Sequence, residues 1–160
     1  MNRALAWLAA ALGGALVAGP GMAAPMELEL PTLDGARFFH LSEARGRQVV
    51  LNFWDDECPP CVREMPMLDR AAKSRRDVLF VGVTVAVRRR AQDFLESHAV
   101  SYLQLAGPPE SRGLLRRFAD RAGALPHTAV LRPDHTLCAV HTGEIDAAWL
   151  DAALGRCAAD

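Results

Sequence analysis

Two nearly continuous apolar runs dominate the middle of the chain: Gln48-Val49-Val50-Leu51-Asn52-Phe53-Trp54 and Val78-Leu79-Phe80-Val81-Gly82-Val83-Thr84-Val85. Runs without apolar–polar alternation suit strands covered on both faces, as in a sheet between helical layers. Between them Val62, Met65, Leu68 and Ala72 recur at helical spacing. The pattern predicts strand, helix, strand, a βαβ unit with a right-handed crossover.

Ala91, Phe94, Leu95 and His98 mark a second helix, and Tyr102 to Leu105 a short strand before Gly107-Pro108-Pro109. A third helix carries Leu114, Leu115, Phe118 and Ala122, with Gly123 placed to stop it. Thr128 to Arg132 and Thr136 to Thr142 read as a hairpin across Pro133-Asp134-His135. Asp146 is a good N-cap for a last helix that turns Leu150, Leu154 and Cys157 inward. Upstream, Leu33 to Phe38 reads as a small turn or hairpin. The expected fold class is α/β, a mixed central β-sheet flanked by helices on both faces.

The first residues follow a different pattern. Arg3 precedes the apolar stretch Ala4 to Ala18, which Gly13-Gly14 interrupts, and Gly19-Pro20-Gly21-Met22-Ala23 supplies a helix breaker and small residues. That order reads as a signal peptide over 1–23 with cleavage near Ala23, leaving one domain over 24–160. An uncleaved membrane anchor is the alternative, and the absence of a cysteine near the cleavage point argues against a lipid-anchored form. Export to the periplasm is the expected localisation. Without Arg3 there remain 17 basic residues against 19 acidic, a formal charge of −2. Such a balance suggests neither nucleic acid nor an anionic surface as a partner. Arg88-Arg89-Arg90 is the one tight basic run and reads as a solvated helix start.

All four cysteines lie beyond the signal segment, in a setting where disulfides persist. Cys58 follows the strand ending at Trp54 and precedes the helix opening at Pro59-Pro60. Proline is tolerated in a first helical turn, where its missing N–H had no intrahelical partner. Cys58 is therefore expected at a helix N-terminus, where free N–H groups and the positive dipole end favour the thiolate. Cys61, one turn further in, suits the resolving role. The two prolines also remove two donors that could have stabilised the Cys58 anion. A bare C-x-x-C is also half a zinc site, but no second such pair completes one. Strand-then-helix placement in a βαβ unit favours a redox dithiol.

The stretch Arg45 to Trp54 followed by Cys58-Pro59-Pro60-Cys61-Val62-Arg63-Glu64-Met65-Pro66 closely resembles the TlpA/ResA-like branch of thioredoxin-fold thiol–disulfide oxidoreductases. Leu125-Pro126-His127-Thr128 further resembles that family's cis-proline loop. The resemblance implies a thioredoxin-like fold, with Cys58 as exposed nucleophile and Cys61 as resolving thiol. It implies a cis Pro126 that helps hold an extended substrate segment, with Leu125, Pro59 and Pro60 lining the same surface. Glu64 matches an acidic residue that the family uses to handle protons beside the cysteines; a solvated helix carboxylate is the plainer reading. The implied activity is reduction of protein disulfides, of the kind that serves cytochrome c or copper-site assembly. It requires a protein disulfide substrate and a membrane thiol electron donor. No cofactor or resident metal is called for, and a monomer is expected.

One departure stands out. Family members approach the first cysteine through a small–polar–Trp segment, whereas this chain has Asp55-Asp56-Glu57. Negative charge beside Cys58 disfavours its thiolate, raising its pKa and making the pair more reducing.

Cys138 on the hairpin and Cys157 on the last helix leave two readings open, a structural disulfide or two buried free thiols. His135, Cys138 and His141 have the look of a metal cluster, but residues 138 and 141 of a regular strand point to opposite faces, and only a bulge or turn would bring them together. His127, next to Pro126, is placed to approach the cysteines. That placement leaves a copper(I) metallochaperone using Cys58, Cys61 and His127 as the alternative function.

Overall fold

The computed structural model describes residues 24–158. The expected signal segment, 1–23, lies outside the described residues. Among the described residues no helix is long and apolar enough to cross a membrane.

The two apolar runs form the parallel centre of the sheet, β3 (Gln48–Trp54) and β4 (Val78–Thr84), joined through α1 (Pro59–Ser74). Before them, β1 (Glu29–Pro31) and β2 (Phe38–His40) make a separate antiparallel hairpin, followed by a 3-10 turn over Leu41–Ala44. After them come α2 (Arg88–Ser97), β5 (Leu103–Ala106), α3 (Ser111–Arg117), β6 (His127–Leu131), β7 (Leu137–Thr142) and α4 (Ala147–Cys157). The main sheet runs β5-β4-β3-β6-β7. Its strands β5, β4 and β3 are parallel, β6 is antiparallel to β3, and β7 is antiparallel to β6.

Alternation along β3 divides the interior in two. Val49, Leu51 and Phe53 pack with Leu114 and Leu115 of α3, with Phe118 just beyond its end, and with the N-terminal hairpin. Val50 packs on the other face with Leu68 of α1 and Leu150, Ala153 and Leu154 of α4. Trp54, on that same side, packs with Cys61 and Met65 of α1 and Ala91 of α2. Helices therefore cover both faces, as the unalternating runs predict.

Two expectations are corrected here. The third helix stops at Arg117, well before Gly123. Ala119 adopts a left-handed conformation (φ 67°), and the Asp120 N–H donates back to Leu115 O at 3.0 Å. The Asp120 carboxylate then accepts from the N–H groups of Ala122 and Gly123, holding a turn where apolar spacing suggested more helix. In β7, the register slips by one residue between Val130 and Leu131, whose partners are Ala139 and Leu137. Cys138 is the extra residue of this bulge. It packs with Ala139 in the cluster under α4 instead of on the opposite face. His141 meets Trp149 of α4, with ring centroids 5.3 Å apart. The opposite-face expectation for 138 and 141 thus fails at the bulge.

Cys138 is bonded to Cys157, closing a loop across a sequence separation of 19. His135 is buried at the hairpin turn (φ 67°), and no His/Cys/Asp/Glu group suited to a metal occurs among the described residues. A cross-link over a loop of this length stabilises by about 3 kcal/mol, chiefly through the unfolded chain. The double variant Cys138→Ala/Cys157→Ala is expected to melt about 10 °C lower. Its exchange rate at Cys58 should be unchanged; calorimetry and an exchange assay on one preparation check both.

Candidate active site

β3 ends at Trp54, and the chain turns through Asp55-Asp56-Glu57 into α1. The turn is built from its own first residue. Asp55 O accepts from the Cys58 N–H at 3.2 Å, and Asp55 Oδ1 accepts from the Glu57 N–H at 2.9 Å. Cys58 is the N-cap of α1 in extended conformation, with prolines in the first helical positions. Of the N–H groups a first turn leaves free, two are therefore missing. Cys61 N–H donates to Cys58 Sγ at 3.3 Å, and Val62 N–H donates to Cys58 O. Cys58 and Cys61 are bonded, with Cα atoms 5.3 Å apart. Cys61 is fully buried, Cys58 half-buried and Pro59 exposed, so the outer sulfur is the one a partner can reach.

The β3–β6 register pairs Phe53 with His127, which brings Pro126 opposite Trp54, at the strand end leading into the dithiol. The Leu125–Pro126 bond is cis. Leu125 packs on the same cluster of Trp54, Cys61 and Met65 that Cys58 touches. Pro126 O accepts from the Gly143 N–H at 2.8 Å.

Glu64 is no solvated carboxylate, being only 2% exposed. Its Oε1 accepts from Asn52 Nδ2 at 2.7 Å and its Oε2 from the Ile145 N–H at 2.9 Å. Burial pushes its pKa up to about 7; those two hydrogen bonds oppose the rise, and the Glu144 charge adds to it. A carboxyl poised near neutrality, one helical turn from Cys61, is equipped to hold or release a proton there. Asn52 also donates to Thr128 Oγ1 at 3.1 Å, while its own Oδ1 has no partner. Turned by half a rotation, the same amide accepts from a protonated Glu64 and from the Thr128 hydroxyl. Asn52 thus has the groups to serve either protonation state of Glu64.

A family model described as Redoxin matches residues 20–154. The chain belongs to the Redoxin family. The thiol-disulfide oxidoreductase ResA of Bacillus subtilis (strain 168) is 29% identical over 119 residues, which cover 71% of this chain and 63% of ResA. Among solved structures, a DsbF homologue from Corynebacterium diphtheriae superposes with a TM-score of 0.72 at 25% identity, over 93% of this chain and 98% of that one. A thiol:disulfide interchange protein of the thioredoxin family from Chlorobium tepidum TLS gives a TM-score of 0.73 at 22% identity, over 87% and 99%. The fold is thioredoxin-like. The chain spans between 35% and 64% of the length of the curated relatives it matches.

Within this Redoxin fold, two expectations about charged side chains change. The run Arg88 to Arg90 is not simply a solvated helix start. The Arg90 guanidinium lies 3.0 Å from each of Asp55 Oδ1, Asp56 Oδ1 and Glu57 Oε2. The acidic approach to Cys58 is thus partly neutralised by a side chain 33 to 35 residues away, and its effect on the thiolate is smaller than the sequence suggested. His127 is fully buried and turned from the cysteines. Its Nε2 lies 2.9 Å from Phe118 O, so that nitrogen carries the hydrogen. Nδ1, at 2.9 Å from Thr142 Oγ1, then accepts from the hydroxyl. With both ring nitrogens engaged in tying the end of α3 to β6 and β7, His127 offers no lone pair to a copper ion at the dithiol. The metallochaperone alternative loses its third ligand.

Asn52, Thr128, Arg90 and the Ile145 N–H were not singled out from the sequence as site groups. Only Asn52 carried a signal there, as a lone amide inside a buried apolar strand. Asn52→Leu removes a hydrogen bond that favours the Glu64 carboxylate. The Glu64 pKa is expected to rise further above about 7, at a cost of about 1–3 kcal/mol in stability. A carbon-13 titration of the Glu64 carboxyl checks the direction.

Proposed function

We propose that this chain is an exported thiol–disulfide oxidoreductase that reduces disulfides in other proteins through Cys58 and Cys61. The observation that carries the reading is the half-buried Cys58 at the N-terminus of α1, bonded to a buried Cys61 with the Glu64 carboxyl one turn beyond. In the reduced protein the Cys58 thiolate attacks one sulfur of a substrate disulfide. A mixed disulfide forms, and one substrate thiolate leaves. Cys61 gives its proton to the Glu64 carboxylate and attacks Cys58 Sγ, forming the Cys58–Cys61 bond and releasing the second substrate thiolate. The substrate has gained two electrons; protons from Glu64 and from solvent complete its two thiols. An external dithiol, for which a membrane thiol carrier is the expected source, returns the pair to the reduced state. Leu125, Pro126, Pro59 and Pro60 form the surface along which an extended substrate segment lies.

Residues 1–23 act in this reading as an export signal cleaved near Ala23, placing a monomeric domain in the periplasm, where disulfide substrates occur. Similarity to the thiol-disulfide oxidoreductase ResA supports the oxidoreductase assignment. The direct test is catalysis of insulin disulfide reduction by dithiothreitol at neutral pH. Acceleration by the protein over the dithiol alone is expected; a rate equal to the uncatalysed one would remove the assignment.

A further inference from the structure

We propose that Arg90 of α2 is a positioning residue of the dithiol, acting on Cys58 by neutralising the three carboxylates that precede it. The inference deepens the redox reading above and rests on it for its functional meaning.

The geometry is specific to this side chain. Arg90 Nε and Nη2 both approach Asp56 Oδ1 at 3.0 Å, Nη2 also reaches Asp55 Oδ1, and Nη1 reaches Glu57 Oε2. Its neighbour Arg89 pairs with Asp93 on its own helix, and Arg63 of α1 pairs with Glu144. Among the described residues, Arg90 is the cation recorded against this loop. The contact is not a loose surface pair: the Asp55 and Asp56 side chains are only 20% and 13% exposed. A forked guanidinium holding several carboxylates in a partly covered setting is worth more than an isolated exposed pair. Asp55 Oδ1 is also the atom that shapes the turn, by accepting from the Glu57 N–H.

The charges around Cys58 make the consequence clear. From the approach loop come Asp55, Asp56 and Glu57. From α1 come the buried Glu64 and Arg63, the latter already paired. α2 brings Arg90, with Arg89 and Arg88 one and two residues away. The segment Gly123 to Pro126 brings no charge. The local balance beside the sulfur is therefore negative, and Arg90 supplies the main offset. Without it, three adjacent carboxylates disfavour the Cys58 thiolate.

The test is the pH profile of Cys58 alkylation by iodoacetamide in the protein with its Cys58–Cys61 pair reduced, the modified cysteine being located by mass spectrometry. Arg90→Ala is expected to slow alkylation at neutral pH by about three- to tenfold and to shift the profile to higher pH. Arg90→Lys should recover at least half of the loss, because it keeps the charge. Adding Asp55→Asn, Asp56→Asn and Glu57→Gln to Arg90→Ala should return the rate to at least that of the unaltered protein. An Arg90→Ala profile that superposes on the original overturns the inference. So does a combined variant as slow as Arg90→Ala, which would place the effect in the loop's shape. These readouts do not depend on turnover, so a failure of insulin reduction would count against the redox reading and leave the role of Arg90 standing.

Discussion

Cys58→Ser is expected to abolish disulfide exchange, lowering the rate by at least about a thousandfold, whereas Cys61→Ser should halt the reaction at the mixed disulfide. The asymmetry follows from burial and position. Exchange needs a thiolate that can meet a partner's sulfur, and Cys58 is the half-buried member of the pair, at the α1 N-cap. A serine hydroxyl there is neither ionised nor able to form the covalent intermediate. Cys61 is fully buried behind it and reaches only Cys58. Its advantage as resolving thiol is proximity, and without it the adduct must wait for an external thiol. Cys61→Ser should therefore accumulate a covalent complex linked through Cys58 that dithiothreitol dissolves. Equal residual activity in the two variants would contradict the assigned roles.

Glu64→Gln is expected to slow resolution of the mixed disulfide by about a hundredfold at neutral pH and to flatten the dependence of stability on pH. Burial raises the folded-state pKa of Glu64 from 4.5 to about 7. Between those values the folded protein binds a proton that the unfolded chain releases. The stabilisation is thus complete below about pH 4.5 and is lost as pH rises through about 7. Over that window it amounts to a change on the order of 3 kcal/mol. The glutamine variant lacks the titration and should be the more stable protein at pH 8. It fits the site: Oε1 can accept from the Ile145 N–H while Nε2 donates to a rotated Asn52 amide. A retained fold with a slow, pH-shifted resolving step separates proton handling from packing. Denaturant midpoints at pH 5 and pH 8, with stopped-flow rates across the same range, measure both. An unchanged rate with an unchanged pH slope would remove Glu64 from the mechanism.

The frame of this site was legible in the sequence because its signals are local. The two buried strands announce themselves as unalternating apolar runs, the helix start is marked by Cys58-Pro59-Pro60, and Asp146 caps α4 by accepting from the Trp149 N–H at 2.8 Å. What escaped reading depends on pairs distant in sequence. Helical spacing put Glu64 one turn from Cys61, but its burial comes from β3 and from Ile145, 81 residues later. Arg90 looks like part of a solvated basic run until α2 folds back over the approach loop. His127 looks like a site residue by adjacency to Pro126, yet strand geometry turns it towards Phe118 and Thr142. The bulge that brings Cys138 under α4 breaks strand alternation, the one rule by which its direction could have been inferred.

Direction of electron flow is where the local electrostatics matter most. Two prolines remove N–H donors from the helix start, and three carboxylates outweigh the single Arg90. Both features leave the Cys58 thiolate less stabilised than a bare helix N-terminus would, which shifts the balance towards the disulfide form and is the basis for the reductase proposed above. The reduction potential of the Cys58–Cys61 pair, measured against glutathione redox buffers with the Cys138–Cys157 bond intact, tests this directly. A value near that of thioredoxin, about −270 mV, and well below about −200 mV is expected. A value near the roughly −120 mV of a strong oxidant such as DsbA would contradict a reductase.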